Sequence, residues 1–561
     1  MRPRAITRRQ FQRWLAAAML APGVARPARA SADPVRPRRL FYNNDGSFLL
    51  YTTPPLEAEE FVYEAVGRFI GTQVDAVVCH MFGYGDAVPL YPTRVPDAAG
   101  VERQRYEFVS EWRQQTSMRA FWSQGVDPWR LALEAAHRAG IEYWAGMRFN
   151  DLHGAGYHWP SQFRARHPEY ELGARCASGM HGPGSVYGER CTGLNYAIPA
   201  VRKQRLALVR ETAERYPIDG FEWDFLREPG HYAPDFTSGR KLLTEYLREA
   251  RAALDEVGAA QARRIGLGVR VPGTLAKCDA IGLDVEAWIR SGLLDYISPA
   301  PHWDTATELP FDAFVALKRD SRCRVLACTS EQVGPANYSR PPVEALRAGA
   351  FNAWRQGVDG IYIFNFHHHI GSELADATAI LSEAGRPETL AYKDKLYVLG
   401  GCHDCLRQFP HGSTIFQAFD HPLPAPLPER TEGAGLTVNL TAGDDVDTAR
   451  RRGLLERATL ELILVGLTPL DEIEATLNGR MLPRPVEVRP ADYRVGPTAN
   501  EYQGNFRLRY DVSGPGWLRQ GTNAVAVGLR RRNPAISAPM VLHDLRLEIR
   551  YRILPLKLKE Q

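Results

Sequence analysis

The sequence predicts a (β/α)8 barrel of the TIM type followed by an antiparallel β-sandwich. Three observations carry this. From residue 38 to about 384, eight short β-branched or aromatic runs alternate with amphipathic helical stretches, the pattern of a parallel α/β fold. No glycine-rich dinucleotide fingerprint follows the first run, which favours a closed barrel over an open doubly wound sheet. After about residue 385 the helical periodicity stops and alternating strand patterns take over.

In chain order the expected barrel strands are RRLFYNND (38 to 45), VDAVVCHMF (74 to 82), IEYWAGMRFND (141 to 151), IDGFEWDF (218 to 225), RIGLGVRV (264 to 271), LLDYISPAP (293 to 301), CRVLACTSE (323 to 331) and VDGIYIFNF (358 to 366). Helices are expected over 59 to 73, 128 to 140, 201 to 216 and 343 to 357, several of them stopping at a glycine just before the next strand. Extra length sits at 83 to 127 and 152 to 200, both after the C-terminal ends of strands, where barrels of this type place their sites. The second stretch is rich in Gly, His and aromatics, a composition suited to a pocket wall or lid. Beyond it, ATLELILVGL (458 to 467), FRLRYDVSG (506 to 514), TNAVAVGLR (522 to 530) and VLHDLRLEIRY (541 to 551) alternate as sandwich strands, with turns at NG (478 to 479) and PG (515 to 516). The expected division is residues 1–32, 33–384 and 385–561.

The first 32 residues stand apart. They carry seven arginines and no acid, and Thr7-Arg8-Arg9-Gln10-Phe11 precedes an apolar run from Trp14 to Ala21 and small-residue sites at Ala30 and Ala32. This is the pattern of a twin-arginine export signal, with a run too short to span a bilayer. The expected location is therefore periplasmic or extracellular, with no membrane insertion after cleavage. What remains has 62 bases against 65 acids, which argues against a nucleic-acid partner. An oxidising compartment also raises the question of pairing among the eight cysteines. Cys402 and Cys405 form a CxxC with no second CxxC to complete a zinc site, Cys176 and Cys191 flank a Gly-rich loop, and Cys79 and Cys278 read as buried apolar residues.

Candidate site residues come from the strand ends. Period-two alternation puts Glu222 and Asp224 on one face of the fourth strand and Phe221, Trp223 and Phe225 on the other. The aromatic face should pack under helices, so the acids point into the barrel, where unpaired burial is too costly for packing alone. An ion pair with an inward Arg270 or Arg148 is the structural alternative. The other strand ends add Asn43, Asn44 and Asp45; His80; Arg148 and Asn150; His302, Trp303 and Asp304; Glu331; and Asn365 and His367. Two carboxyl groups about 5 Å apart, or roughly 6.5 to 9.5 Å, can flank a glycosidic bond for cleavage with retention or inversion. Strand seven lies across the mouth from strand four, so Glu331 is the expected partner of Asp224 or Glu222. The remaining Asn, His and Arg suit sugar hydroxyls, and Trp159, Trp303 and Phe366 suit sugar faces. No metal-binding pattern and no cofactor motif is found.

The stretch LNYAIPAVRKQRLALVRETAERYPIDGFEWDFLRE, with LFYNNDG, GTQVDAVVCHMF and VDGIYIFNF, resembles the glycosyl-hydrolase-like family 10 barrels. The resemblance implies a secreted glycosidase in which Asp224 is the acidic residue ending strand four and Glu331 takes the nucleophile's place. DGFEWD is also similar to the DGFRLD strand of amylase-type barrels, where the last Asp is the nucleophile. The strand-five end VRVPGT lacks that group's acid glutamate. LNGRML with LRQGTNAVAVGL resembles galactose-binding-like jelly rolls. The expected activity is retaining glycoside hydrolysis of a poly- or oligosaccharide, with Asp224 as general acid/base, Glu331 as nucleophile and Glu222 tuning or replacing Asp224. The rivals are a carbohydrate-binding barrel without turnover and a metal-dependent hydrolase or deacetylase using Asp45, His80, His302 or His367.

Overall fold

The computed structural model describes residues 39–83, 86–106, 108–149, 160–172, 193–226, 236–301, 305–330, 333–334, 342–364, 366, 377–400, 419–428, 435–490 and 505–552. Eight parallel strands close into a barrel in sequence order: β1 Leu40–Asn44, β2 Ala76–His80, β3 Glu142–Arg148, β4 Gly220–Asp224, β5 Gly266–Pro272, β6 Tyr296–Ala300, β7 Arg324–Ser330 and β8 Gly360–Phe364. Seven lie within their expected runs, β5 passes its run by one residue at Pro272, and β8 closes on β1 through Leu40 opposite Ile361.

One device recurs at the bottom of the barrel. Asp75, Asp219, Asp295 and Asp359 stand just before β2, β4, β6 and β8, each after an aliphatic residue. Their carboxylates accept the backbone N–H of Arg39, Tyr143, Leu267 and Val325 at 2.8 to 2.9 Å. Their own N–H groups donate back to Leu40, Tyr143, Leu267 and Val325 at 2.7 to 2.9 Å. Donors left open at strand starts are thereby satisfied and neighbouring strands pinned in register. Asp219 and Asp359 thus belong to the entrance of their strands, and Gly220 and Gly360 are the first residues of β4 and β8.

Gly220, Gly266 and Gly268 are required by close approach. A Cβ on Gly220 or Gly266 would stand 2.2 and 2.4 Å from the Trp144 ring, and one on Gly268 would stand 2.2 Å from the ring of Tyr296. Small residues on β4 and β5 thus make room for large ones from β3 and β6, and the lower barrel is filled rather than hollow.

The outer helices follow their sequence signals. The helix Pro128–Ala139 starts with Asp127 accepting the N–H of Arg130 and a proline in the first turn, and stops at Gly140 with φ 74°. The run expected as one helix over 59 to 73 is shorter, Ala58–Ala65 followed by a 3-10 turn Gly67–Phe69, because Gly67 and Gly71 weaken its second half. The stretch 83 to 127 is not all loop, since Val109–Ser123 is helical. The longest helix, Phe236–Ala260, joins β4 to β5, and its Tyr246 stacks on Trp223 with ring centroids 4.9 Å apart.

The second unit has two antiparallel sheets. In one, β12 (Leu455–Val465) pairs with β18 (Val541–Tyr551) and with β16 (Asn505–Asp511), and β15 (Glu487–Pro490) pairs outside β16. Two short strands, β9 (Lys395–Val398) and β10 (Ala425–Pro426), pair along the other side of β18. The second sheet runs β11 (Leu436–Ala442), β17 (Gly521–Arg531), β13 (Glu472–Leu477) and β14 (Arg480–Met481). Leu460, Leu462 and Leu464 meet Val525 and Val527 in a core between them. Asn352, on the helix Val343–Arg355, joins this unit to the barrel: its amide donates to the carbonyls of Thr307 and Thr441 and its oxygen accepts the N–H of Gly443.

Candidate active site

β4 delivers its two carboxylates to different levels. Alternation turns Phe221 and Trp223 outward and both acids inward, as the pattern required, and Glu222 and Asp224 are each 0% exposed. Their surroundings differ.

Asp224 ends the strand at the upper level. Nη1 of Arg270, its neighbour on β5, lies 3.0 and 3.1 Å from its two oxygens, and Oδ1 also accepts the N–H of Leu226 at 2.9 Å. The guanidinium rests over the Phe364 ring at 3.5 Å from its centroid. Burial opposes the charge on Arg270, but the Asp224 carboxylate holds the guanidinium above its ordinary range. The ion pair weighed as a structural alternative is therefore present.

Glu222 lies one layer deeper. Tyr296 donates to its Oε2 at 2.5 Å and Tyr362 to its Oε1 at 2.8 Å. Burial pushes this carboxyl up to about 7, against the tyrosine hydrogen bonds that favour the anion; the nearby Asp224 adds to the rise. Its place in the filled part of the barrel makes Glu222 part of the floor under the mouth, with its two oxygens held by tyrosines from β6 and β8.

Asn43 points inward with its amide nitrogen 2.7 Å from Tyr362 Oη and 3.2 Å from His80 Nε2. Asp45 accepts from Arg148 at 3.1 Å and from the N–H of Ser47. Asn43, Asp45, His80, Arg148, Asp224 and Arg270 are thus gathered at the C-terminal end of the barrel. Asn44 is not: it points to the outer face, where its amide binds the carbonyls of Glu64 and Ala65 at the end of the helix Ala58–Ala65. Strand alternation, which separates Asn43 from Asn44, gives the reason, and Asn44 is a bracket between strand and helix. Glu331, Asn150, His302, Trp303, Asp304, Asn365 and His367 lie outside the described residues, as do Trp159 and the cysteines 176, 191, 402 and 405. Cys79, Cys278, Cys323 and Cys328 are buried free thiols.

Two residues escaped the sequence reading of the site. Tyr296 and Tyr362 read as apolar strand positions, yet each hydroxyl is spent on Glu222. The signal was available in the facing Gly268, which leaves a ring-sized gap beside an inward acid. A further feature concerns unused capacity. Nε and Nη2 of Arg270, Oδ1 of Asn43 and the hydroxyls of Ser298 and Ser330 are buried without a hydrogen-bond partner. Such groups are rare in folded proteins and are the places where ordered water or a ligand binds.

No protein family profile and no curated protein matches the chain. Solved structures similar to it include a Paenibacillus sp. cycloisomaltooligosaccharide glucanotransferase, 11% identical with a TM-score of 0.34 over 92% of this chain and 58% of that one. Others are the PgaB (BpsB) glycoside hydrolase domain from Bordetella bronchiseptica, 12% identical with a TM-score of 0.37 over 61% and 98%, and an Anoxybacillus alpha-amylase, 12% identical with a TM-score of 0.34 over 88% and 98%. The chain spans little more than half the length of the first. Likenesses this distant carry no argument about activity.

Proposed function

We propose that the chain is an exported glycoside hydrolase that cleaves a poly- or oligosaccharide by a retaining mechanism, with its site at the C-terminal mouth of the barrel. One observation carries the reading. A buried carboxylate at the end of β4 stands beside a guanidinium with two unsatisfied nitrogens, and Asn43, Ser298 and Ser330 add polar atoms that also lack partners. That set of donors and acceptors suits a neutral, hydroxyl-rich ligand.

The geometry also shifts the role of Asp224. A carboxylate whose two oxygens both meet Arg270 Nη1 suits the anion that attacks a sugar's anomeric carbon better than the acid that gives up a proton. The proposal therefore takes Asp224 as nucleophile and Glu331, expected across the mouth, as general acid and then general base. Asn43, His80, Arg148 and Arg270 would bind hydroxyls. Residues 1–32 are proposed as the export signal.

The same ion pair favours a second reading, carbohydrate binding without turnover, because Asp224 is fully buried and already partnered. A digest screen of poly- and oligosaccharides with the chain from residue 33 separates the two. Turnover abolished by Asp224→Asn and by Glu331→Gln supports hydrolysis. Binding with no cleavage of any glycan supports the second reading, and neither binding nor cleavage sinks both.

A further inference from the structure

The sandwich meets the mouth end of the barrel at Val398, the last residue of β9. The Val398 carbonyl lies 3.1 Å from the hydroxyl of Thr307, in the segment that follows β6. The Val398 side chain packs in a small apolar cluster with Val333, in the segment that follows β7, and with Ala345 on the helix Val343–Arg355. Gly334 makes room for this approach, since a Cβ there would stand 2.6 Å from the valine side chain. A single sandwich residue therefore touches the exits of two neighbouring barrel strands.

The sequence prepares that junction. Ala345, Gly349 and Asn352 are spaced to share one face of their helix. Ala345 meets Val398, a Cβ on Gly349 would stand 2.8 Å from the Thr305 methyl, and Asn352 donates to the Thr307 carbonyl at 2.9 Å. Glu308 adds a second tie to the sandwich by accepting the N–H of Thr441 on β11 at 3.2 Å.

Two residues before Thr307, the Thr305 hydroxyl donates to the carbonyl of Ser330 and accepts its N–H, both at 2.9 Å. One hydroxyl thus holds both backbone groups of the residue that ends β7. Thr305, Thr307 and Ser330 are 3, 2 and 1% exposed, so bulk water is not at hand to replace a lost partner.

We propose that the sandwich is a working part of the mouth wall: Val398 and the segment from Thr305 to Glu308 hold the end of β7 in place, and Thr305 is the positioning residue that passes this constraint to Ser330. Its bearing on turnover rests on the function proposed above, in which Ser330 belongs to the site and Glu331, next in the chain, is the acid/base. A sandwich that only rests against the barrel would leave the Ser330 backbone indifferent to changes in β9.

Hydrogen exchange read at single amides of the chain from residue 33 tests the proposal without any substrate, so the result stands apart from that of the digest screen. Thr305→Val keeps the methyl beside Gly349 and removes the hydroxyl, and it should speed exchange of the Ser330 amide on the order of tenfold. Thr305→Ser should leave that amide at the parent rate. Val398→Ala alters the sandwich alone and should speed the same amide by about fivefold, while the amides of Glu222 on β4 and Leu462 on β12 keep their parent rates. If Val398→Ala does not fold, Thr307→Val, which removes the hydroxyl facing the Val398 carbonyl, carries the same expectation. A Ser330 amide at the parent rate in Thr305→Val or in the sandwich-side variant overturns the proposal. So does fast exchange in Thr305→Ser, or equal acceleration at Ser330, Glu222 and Leu462. On a glycan that the digest screen finds cleaved, Thr305→Val should lower kcat about tenfold with KM little changed, and Thr305→Ser should restore it. An unchanged kcat beside a fast Ser330 amide overturns the bearing on turnover.

Discussion

Removing one member of the Asp224–Arg270 pair should destabilise the barrel far more than removing both. The two side chains are 0% exposed and meet at 3.0 and 3.1 Å. With an effective dielectric of roughly 20, two unit charges about 3 Å apart attract by about 5 kcal/mol, which largely offsets their desolvation. Once one partner is gone the other is a buried, uncompensated charge, and the expected loss is about 3–5 kcal/mol for Asp224→Asn or Arg270→Met. The double variant carries no charge and keeps an oxygen for the N–H of Leu226, so its loss should be only about 1–2 kcal/mol, below either single loss.

Because barrel and sandwich have separate cores, a single unfolding midpoint would mix them. Native-state hydrogen exchange at the β4 and β5 amides reads the barrel alone. Single variants that each lose under about 1 kcal/mol, as an exposed pair would, refute the reasoning. So does a double variant that loses the full sum. The cycle also separates folding from chemistry: if Asp224 is the nucleophile, the double variant regains protection at β4 but no turnover.

Four further outcomes are expected. Burial pushes Glu222 and Glu308 up from 4.5 to about 7, so the folded chain holds protons that the unfolded chain releases. Their contribution is full below pH 4.5 and is lost as pH rises to about 7, roughly 3 kcal/mol each; denaturation at several pH values should show a flatter profile for Glu222→Gln/Glu308→Gln than for the parent. Asp219→Ala removes the acceptor for the Tyr143 N–H and should cost about 1–3 kcal/mol while leaving turnover per folded molecule intact. A large fall in turnover by folded protein would show that the bottom of the barrel shapes the site. Gly268→Ala must displace the Tyr296 ring, and a loss of about 1–3 kcal/mol with a shifted Glu222 titration is expected; unchanged stability would mean the ring relocates freely. Asn352→Ala breaks two bonds from the helix to the sandwich and one to Thr307 of the barrel, and faster proteolysis at that junction should accompany a loss of about 2–3 kcal/mol.

The barrel was legible because each strand carries its signal locally. An aliphatic residue and an aspartate open four of the eight, and inward and outward residues alternate along β4 without exception. Asp224 and Glu222 could be placed on one face by counting alone. What counting could not supply was level and partner. Two residues along a strand separate a mouth from a filled core, and only the closed barrel shows that Tyr296 and Tyr362 reach across to Glu222. Arg270 was visible as an inward residue, but its pairing depends on β4 and β5 lying in register with Asp224 opposite Arg270. Asn43 and Asn44 illustrate the same limit: adjacent and identical in type, they serve opposite faces of one strand.

The motif DGFEWD joins three kinds of work in six residues. Asp219 fixes the bottom of the barrel through the backbone of β3, Glu222 anchors Tyr362 in its middle, and Asp224 reaches the mouth. Asp224 alone of the three lies at the level of the barrel's C-terminal end, so the acids of one short motif can differ wholly in depth and partner. The charges at the mouth point the same way as the proposed substrate. Asp224 is matched by Arg270 and Asp45 by Arg148 among the described residues, which leaves no excess of either sign to attract an ion. The unsatisfied atoms beside them are donors on Arg270, an acceptor on Asn43, and hydroxyls on Ser298 and Ser330 that can do either. A neutral polyol offers donors and acceptors in the same mixture, whereas an anionic ligand would leave the oxygen of Asn43 facing like charge.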